Sequence, residues 1–421
     1  MNDTYSTITV LILLLLIASG VAMAAKWVPV PYTLALVVVG LVISPMHFLP
    51  PIHISPDLIL LIFLPALLFE AAWNLKLDRL RANLFPILSL AVPGVIFSVG
   101  IISIILHFGS GLSWSSALLF GSVISATDPV SVLALFKKLG APERLTVILE
   151  GESLFNDGTA VVVFRIILGA VIGVTGLDSP GAILTSSLKQ FAIVIVGGVV
   201  LGALIGFVAS KLTSYFDDHL LEITLTTIAA YGSFILAERV HVSPVIAVLL
   251  TGMIIGNYGR RQGMSPNTVV AVDSFWEYAA FVVNSLVFLL IGIEIQLSML
   301  AEYAVFILWA VLAMAFARAM TTYGTFLITN RFTDRVSFRW QHIVFWGGLR
   351  GSLSIALVLS LPLNIPGREQ LVAMTFGAVT FSLLIQGLTI SPLMSLLRIN
   401  RAASTDREVT TETIPSAAAE T

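Results

Sequence analysis

Long apolar segments alternate with short polar or proline- and glycine-containing turns along almost the whole chain. Most segments run for roughly 17 to 30 residues, the length that an α-helix needs to cross the hydrocarbon core of a bilayer. We predict thirteen spans, at 5–25, 28–44, 56–73, 83–107, 113–136, 144–175, 183–210, 219–238, 242–257, 274–296, 301–329, 340–361 and 369–397. The pattern therefore predicts an all-α polytopic membrane protein.

The amino-acid composition supports this interpretation. Hydrophobic residues make up 57% of the 421 residues and charged residues 11%, whereas an ordinary soluble domain carries about 25% charged residues. So few charges cannot cover a water-soluble fold of this length. The absence of cysteine excludes disulfides and thiolate metal sites. The net charge of −2, without a basic patch rich in aromatic residues, gives no indication of nucleic-acid binding.

Basic residues are distributed unevenly between the loops on the two sides of the predicted spans. With the C-terminus placed in the cytoplasm, sixteen Lys and Arg residues fall in inner loops, three in outer loops and three within spans. This bias is typical of the positive-inside rule. Because a miscounted span in mid-chain would scramble it, the distribution favours thirteen spans with an outer N-terminus and a cytoplasmic C-terminus.

The two ends of the chain differ in character from the spans. The first four residues, Met-Asn-Asp-Thr, are acidic where a signal peptide is basic, so we expect residues 5–25 to be an uncleaved span. Residues 398–421 are rich in Thr, Glu, Ala and Ser, which predicts a short, disordered cytoplasmic tail. We therefore divide the chain into a transmembrane domain, 1–397, and this tail. We expect it to reside in a prokaryotic plasma membrane.

Two of the predicted spans contain helix-breaking residues. Span five contains Ser-Ala-Thr-Asp-Pro at 125–129, where the proline removes a helix hydrogen bond, and span twelve contains Gly-Gly-Leu-Arg-Gly at 347–351. When the chain is divided into six spans, a connector and six more, these are the fifth spans of the two halves. Broken helices at matching positions indicate a transporter built from inverted repeats, with its binding site where the two breaks cross.

Span six carries the densest polar chemistry within the membrane. Residues 150–159 read Glu-Gly-Glu-Ser-Leu-Phe-Asn-Asp-Gly-Thr, between apolar stretches. A charged side chain at membrane depth costs at least ~3 kcal/mol, so it is rarely present without a function. In a helix, Ser153, Asn156 and Asp157 stand at i, i+3 and i+4 and face one way. Their hydroxyl, amide and carboxylate oxygens are hard ligands suited to Na⁺ or Li⁺.

Three other carboxylates lie in or near the spans. Glu152 is about 140° around the helix from Asp157, so we expect it to face a different neighbour. A buried Glu needs a partner, and Arg318 in span eleven is the most isolated cation available. Glu70, close to the inner end of span three, is either an ion ligand or gate or an interfacial side chain. Glu150 lies nearer the cytoplasmic end of span six, where we expect partial solvation.

Charged residues also stand at both helix breaks. Unwound backbone leaves free N–H and C=O groups, and the helix ends carry partial charges. Asp128 would compensate a positive helix end, while Thr127 offers its carbonyl or hydroxyl oxygen to an ion. Arg350 would compensate the negative end of the other broken helix. For Asp128 and Arg350 we favour these roles over direct ion contact.

Three motifs together resemble those of the monovalent cation/proton antiporters of the NhaP/NHE branch. They are Ala-Thr-Asp-Pro at 126–129, Gly-Glu-Ser-Leu-Phe-Asn-Asp-Gly at 151–158 and Gly-Gly-Leu-Arg-Gly at 347–351. They follow the family's order at comparable spacing, across essentially the whole membrane chain. The resemblance implies exchange of Na⁺ or Li⁺ for H⁺ in pH homeostasis. It also implies a homodimer whose six-helix core moves like an elevator against a dimerisation region.

The resemblance also assigns roles to individual residues. It implies that Asp157 binds Na⁺ and H⁺ in competition during alternating access, with Asn156 as its partner. The other matched positions are those around the substrate ion (Thr127, Ser153, Glu70), the carboxylate of the unwound helix (Asp128) and a structural ion pair (Glu152, Arg318). The Asn-Asp pair resembles that of electroneutral members with one-for-one exchange. Beyond the transported ions, we expect no cofactor and no enzymatic activity.

Other functions are separated from this one by specific features. K⁺/H⁺ exchange differs only in site geometry, which the residues do not give, so it stays open. A passive cation channel would show no proton coupling, and it does not explain why so few carboxylates lie in the spans. An intramembrane aspartyl protease needs a Gly-x-Gly-Asp context, which neither Asp128 nor Asp157 has. The His-Glu-x-x-His motif of a zinc protease does not occur.

Overall fold

The computed structural model describes residues 2–25, 27, 31–46, 56–173, 180–215 and 217–399, and within these ranges every regular element is helical. Residues 28–30 of the second predicted span, 174–175 of the sixth and 400–421 of the predicted tail lie outside the described residues. The all-α fold class predicted from the hydropathy pattern is confirmed.

Thirteen helical rods follow one another in the described chain. They are α1 (Asn2–Ala24), α2 (Tyr32–Met46), α3 (Leu58–Asn74), α4 (Leu84–Ser110), α5 (Trp114–Ile124 and Val130–Leu139), α6 (Glu143–Val171), α7 (Pro180–Thr213), α8 (His219–Arg239), α9 (244–262), α10 (Pro266–Glu294), α11 (Ala304–Thr329), α12 (Phe338–Gly347 and Ser352–Leu359) and α13 (Arg368–Leu396). Two short helices, Leu77–Ala82 and Leu297–Glu302, precede α4 and α11.

The rods agree in number and order with the thirteen predicted spans. Seven segments of the described chain are long and apolar enough to cross a membrane as they stand, and the bent pair of α12 makes an eighth. The remaining rods are shorter or interrupted, so a criterion of length and apolarity leaves them out. The chain is a multi-pass membrane protein.

The start of α10 differs most from the prediction. Hydropathy predicts a start at 274, whereas the helix begins at Pro266, and the side chain of Ser265 caps it. Three of the eight additional residues are polar, and the last of them has tertiary partners: Asp273 accepts a hydrogen bond from Trp73 Nε1 (2.6 Å) and pairs with Arg260. A boundary placed by hydropathy misses these turns because contacts with other helices, rather than lipid, stabilise their polar residues.

The rods pack into two groups. Helices α4, α5, α6, α11, α12 and α13 contact one another, with α4 lying against α11 and α6. In the second group, α2 packs along α10, and α3, α7 and α8 pack around α9. Gly40 and Gly292 let α2 and α10 approach so closely that a side chain at either position would collide with the partner backbone, a packing typical of membrane helices. Helix α6 joins the two groups by contacts with α3, α7 and α9.

The two broken helices cross at their breaks. Helix α5 is unwound at 125–129 and α12 at 348–351. The backbone N–H of Asp128 donates to the carbonyl of Leu349 at 2.8 Å, which joins the two unwound segments directly. Each is the fifth rod of its half, counted on either side of α7. This is the crossing that the paired breaks predict.

Candidate functional site

Arg350 lies at the end of the first half of α5. Its Nη1 donates to the carbonyls of Ser125 (2.8 Å) and Ala126 (2.9 Å). Because the helix stops there, these carbonyls have no N–H partner from a following turn. Arg350 is only 2% exposed, so its positive charge is buried against the negative end of that half-helix.

Asp128 lies at the start of the second half of α5. Its Oδ1 accepts a hydrogen bond from the backbone N–H of Val130 at 3.1 Å. Its carboxylate also contacts Gly351, at the start of the second half of α12, where an added Cβ would collide with it. The carboxylate therefore faces the positive ends of two half-helices. The glycine is needed there because of this close approach.

A cavity of about 90 Å³ lies beside the crossing. It is bounded by α3, by the broken regions of α5 and α12, and by one face of α6. The polar residues that line it are Thr127, Asp128, Glu150, Ser153, Asp157, Ser352 and Ser354. The cavity thus brings together four of the six predicted ion-site residues.

Asp157 contributes a carboxylate oxygen that the described part of the chain leaves without a hydrogen bond. Its Oδ1 is buried and has no hydrogen-bond partner among the described residues. Leaving a buried acceptor unpaired costs about 1–3 kcal/mol, and more when the group is charged. The fold therefore gains nothing from this oxygen as it stands, and the oxygen is free to bind a cation or a proton.

Ser153 and Thr127 place further oxygens beside Asp157. The hydroxyl of Ser153 donates to the carbonyl of Thr127, and both residues line the cavity. The interaction joins α6 to the unwound part of α5, whose carbonyl is exposed because the helix is broken. A carboxylate, a hydroxyl and a backbone carbonyl are thereby grouped at one end of a small space.

Asn156 lies off this face of the helix. Its Nδ2 donates to Thr127 Oγ1 (3.1 Å) and to Glu152 Oε1 (3.2 Å), while its buried Oδ1 has no partner among the described residues. The expected common face therefore holds for Ser153 and Asp157 but not for Asn156. The reason is geometric: adjacent residues in a helix differ by about 100°, and only one side of α6 borders the cavity.

Glu152 and Arg318 form a buried ion pair. Arg318 Nη1 donates to Glu152 Oε1 at 2.8 Å and Nη2 donates to Oε2 at 3.1 Å. Arg318 Nη2 also donates to the carbonyl of Val344, near the end of the first half of α12. Glu152 is 1% exposed and Arg318 6%. The sequence predicts the pairing but not the second contact, through which Arg318 supports the other broken helix.

Glu70 and Glu150 differ in their relation to the cavity. Glu70 does not line the cavity, and its Oε1 accepts a hydrogen bond from Asn74 Nδ2 at 2.8 Å. Glu150 is half-buried and does line the cavity. The signal for Glu150 is present in the sequence, since positions 150, 153 and 157 have the i, i+3, i+7 spacing of one helix face.

The oxygens around the cavity define its chemistry. Carboxylate, hydroxyl and carbonyl oxygens suit a hard cation that gives up part of its hydration shell. The same carboxylate can bind a proton in place of the cation. The lining is therefore chemically suited to either a cation or a proton.

Comparisons with known proteins lead to a single family. Residues 10–396 match the family described as "Sodium/hydrogen exchanger, transmembrane". The chain is 46% identical to the Na⁺/H⁺ antiporter ApNhaP of Aphanothece halophytica, over 87% of this chain and 70% of that protein. It is 42% identical to the Na⁺/H⁺ antiporter NhaG of Bacillus atrophaeus, over 93% of this chain and 75% of that protein.

A solved structure shares the fold. The sodium proton antiporter MjNhaP1 from Methanocaldococcus jannaschii, determined at pH 8, superimposes with a TM-score of 0.77. The match covers 94% of this chain and 99% of that one, at 22% sequence identity.

Proposed function

This chain belongs to the transmembrane sodium/hydrogen exchanger family, and we propose that it exchanges Na⁺ or Li⁺ for H⁺ across a membrane. The observation that carries the proposal is the unpaired, buried Oδ1 of Asp157 beside the Ser153 hydroxyl and the Thr127 carbonyl. A resident structural role would give this oxygen a partner. If the partner of this oxygen is a transported ion, the oxygen has no partner whenever the ion is absent from the site.

Competition at Asp157 couples the two ions. Protonated Asp157 does not hold Na⁺, and Na⁺-bound Asp157 does not hold H⁺. The neutral Asn156 adds no charge, and Arg318 neutralises Glu152. One carboxylate therefore exchanges one Na⁺ for one H⁺, and the cycle is electroneutral.

The surrounding residues support this site in distinct ways. Ser153 and Thr127 supply further oxygens for the ion, and Asn156 positions Thr127 through its hydrogen bond to Oγ1. Asp128 and Arg350 compensate the partial charges at the ends of the half-helices, so the unwound segments need no further bound ions. Glu70 remains a proposed contributor from α3, next to the cavity.

Alternating access carries the site across the membrane. The group α4, α5, α6, α11, α12 and α13 would act as the moving six-helix core, and the second group as the dimerisation region of a homodimer. An empty, charged site resists crossing because of its desolvation cost, which prevents a leak. We also propose that the protein lies in the cell membrane with a cytoplasmic C-terminus and a tail that begins at residue 398. Its role there is in pH homeostasis.

Transport by the purified protein in liposomes with an internal pH dye tests this function. We expect external NaCl and LiCl, but not KCl, to change the internal pH, with the same rate when K⁺ and valinomycin hold the membrane potential at zero. Asp157→Asn abolishes the response. The matched control Asp78→Asn, an exposed carboxylate paired with Arg261, retains it.

Each other outcome points elsewhere. A pH response to KCl makes the protein a K⁺/H⁺ antiporter. Cation flux without proton movement makes it a passive channel. A rate that changes under the potential clamp contradicts one-for-one exchange, and wild-type exchange by Asp157→Asn removes Asp157 from the mechanism.

A further inference from the structure

Glu150 lines the same cavity as Asp157 but stands apart from it along α6. Seven residues separate them, so the two carboxylates lie within about 20° of each other around the helix and ~10 Å apart along its axis. Ser153 lies between them on this face, which gives a polar stripe of Glu150, Ser153 and Asp157 along the cavity wall. The stripe runs toward Glu143, the half-exposed first residue of the helix.

The other carboxylates near this stripe have partners. Glu143 pairs with Lys76 and Arg79, Glu152 with Arg318, and Glu70 accepts a hydrogen bond from Asn74. The side chain of Glu150 has no hydrogen bond or ion pair with the described residues. A second acidic side chain, Glu70 of α3, lies near it.

A charge placed in this way does not stabilise the fold. An unpaired carboxylate inside a membrane segment costs free energy, and a second carboxylate nearby adds repulsion. Both costs are offset when a cation lies between the groups. The cavity is the space into which Glu150 projects, and it continues to the unpaired oxygen of Asp157.

We propose that Glu150 is an entry station that attracts monovalent cations into the cavity and raises their local concentration at Asp157. The proposal rests on Na⁺/H⁺ exchange as the function of the site. Glu150 holds the partly hydrated ion between the solvent-exposed start of α6 and Ser153. It takes no part in the exchange of the proton, which occurs at Asp157, and therefore sets the apparent affinity for Na⁺ rather than the turnover rate.

The size of the effect follows from Coulomb's law. At ~10 Å, one negative charge increases cation occupancy about two-fold in a water-like dielectric and about fifteen-fold at an effective dielectric of ~20. The effective dielectric constant of the cavity lies between these two values, because the cavity is small and is bordered by apolar residues of α3. Removal of the charge should therefore raise KM for Na⁺ by about two- to fifteen-fold.

Transport kinetics of Glu150→Gln test the proposal in the liposome assay. We expect KM for Na⁺ to rise by that factor while kcat stays within experimental error of the wild type. We also expect the difference to shrink as N-methyl-D-glucamine chloride raises the ionic strength from ~0.01 to ~0.3 M, because salt screens the attraction. The midpoint of thermal unfolding should stay the same or rise, since an unpaired charge is removed.

Glu143→Gln is the matched control. It removes the same charge from the same helix, seven residues earlier, but its carboxylate pairs with Lys76 and Arg79 outside the cavity, and exposed pairs contribute little stability. We expect its KM for Na⁺ to match the wild type. An unchanged KM in Glu150→Gln, or a lower unfolding midpoint with the same KM, overturns the proposal. If the wild type shows no exchange, the proposed function itself fails, and that outcome is distinct.

Discussion

Two carboxylates on helix α6, five residues apart, differ in whether the described residues provide them with hydrogen-bond partners. Both oxygens of Glu152 accept hydrogen bonds from Arg318, and the pair is almost fully buried. Asp157 keeps a buried Oδ1 without a partner among the described residues. The two side chains have the same functional group, but Asp157 lines the cavity and Glu152 does not. What distinguishes them is whether the described residues supply a partner, and we propose that the carboxylate without one binds the transported ion.

The largest effect is expected when Glu152 loses its partner. Arg318→Met leaves a buried, uncompensated carboxylate and a carbonyl of α12 without its donor, so we expect a loss of about 3–5 kcal/mol of stability. The measurement is thermal unfolding in detergent. The double variant Glu152→Gln/Arg318→Met removes both charges and should be more stable than the single variant. Equal unfolding midpoints for Arg318→Met and the wild type would show that the pair is not structural.

A smaller loss is expected from Asn156→Asp. The amide donates to Thr127 Oγ1 and Glu152 Oε1, whereas a carboxylate donates to neither and repels Glu152. We expect a loss of about 1–3 kcal/mol of stability at neutral pH. Asn74→Asp is the control, since exposed Asn74 donates in the same way to Glu70 and should lose less. If the two variants unfold at the same temperature, burial of the amide does not determine the cost.

Ser153→Ala sharpens the comparison at the cavity itself. The variant removes one oxygen beside Asp157 and the hydrogen bond to the Thr127 carbonyl. A net contribution of about 0.5–1.5 kcal/mol corresponds to a KM for Na⁺ that is roughly two- to thirteen-fold higher. Ser122→Ala, which removes a buried hydroxyl bonded to Leu119 of its own helix, should leave KM unchanged. Equal KM values for both variants would exclude Ser153 from the ion site.

The smallest effect is expected on the stability of Asp157→Asn. Because Asp157 is unpaired, its replacement removes no ion pair, and we expect the free energy of unfolding to change by less than about 0.5 kcal/mol or to increase. The same unfolding assay measures it beside Arg318→Met. A loss as large as that of Arg318→Met would mean that Asp157 has a structural partner, and the distinction between the two carboxylates would fail.

The number and order of the helices were predictable because lipid imposes a simple rule on apolar length. The same rule failed at the start of α10, where Asp273 is stabilised by Arg260 and Trp73 rather than by lipid. The family predicted from three short motifs is confirmed, because helix breaks and intramembrane charges are rare enough to be specific.

Within the site, sequence spacing indicates which residues share a helix face but not which face meets the cavity. The neighbours of α6 decide this, and they are brought together by packing between distant segments. Asn156 therefore lies off the expected face, and Glu150 lies on it. The contact between Arg318 and the carbonyl of Val344 was unpredictable for the same reason, since it depends on where α12 is broken relative to α11.

The crossing of the two breaks has a consequence for biosynthesis. The open carbonyls of Ser125 and Ala126 receive their donor from Arg350, 225 and 224 residues later, and Glu152 receives its partner 166 residues later. At about 5–20 residues per second, the ribosome takes roughly 10–45 s to supply Arg350. During that interval the first half of the chain is already in the membrane with its charges and carbonyls uncompensated. A nascent chain stopped before Arg318 should therefore be a substrate for membrane proteases.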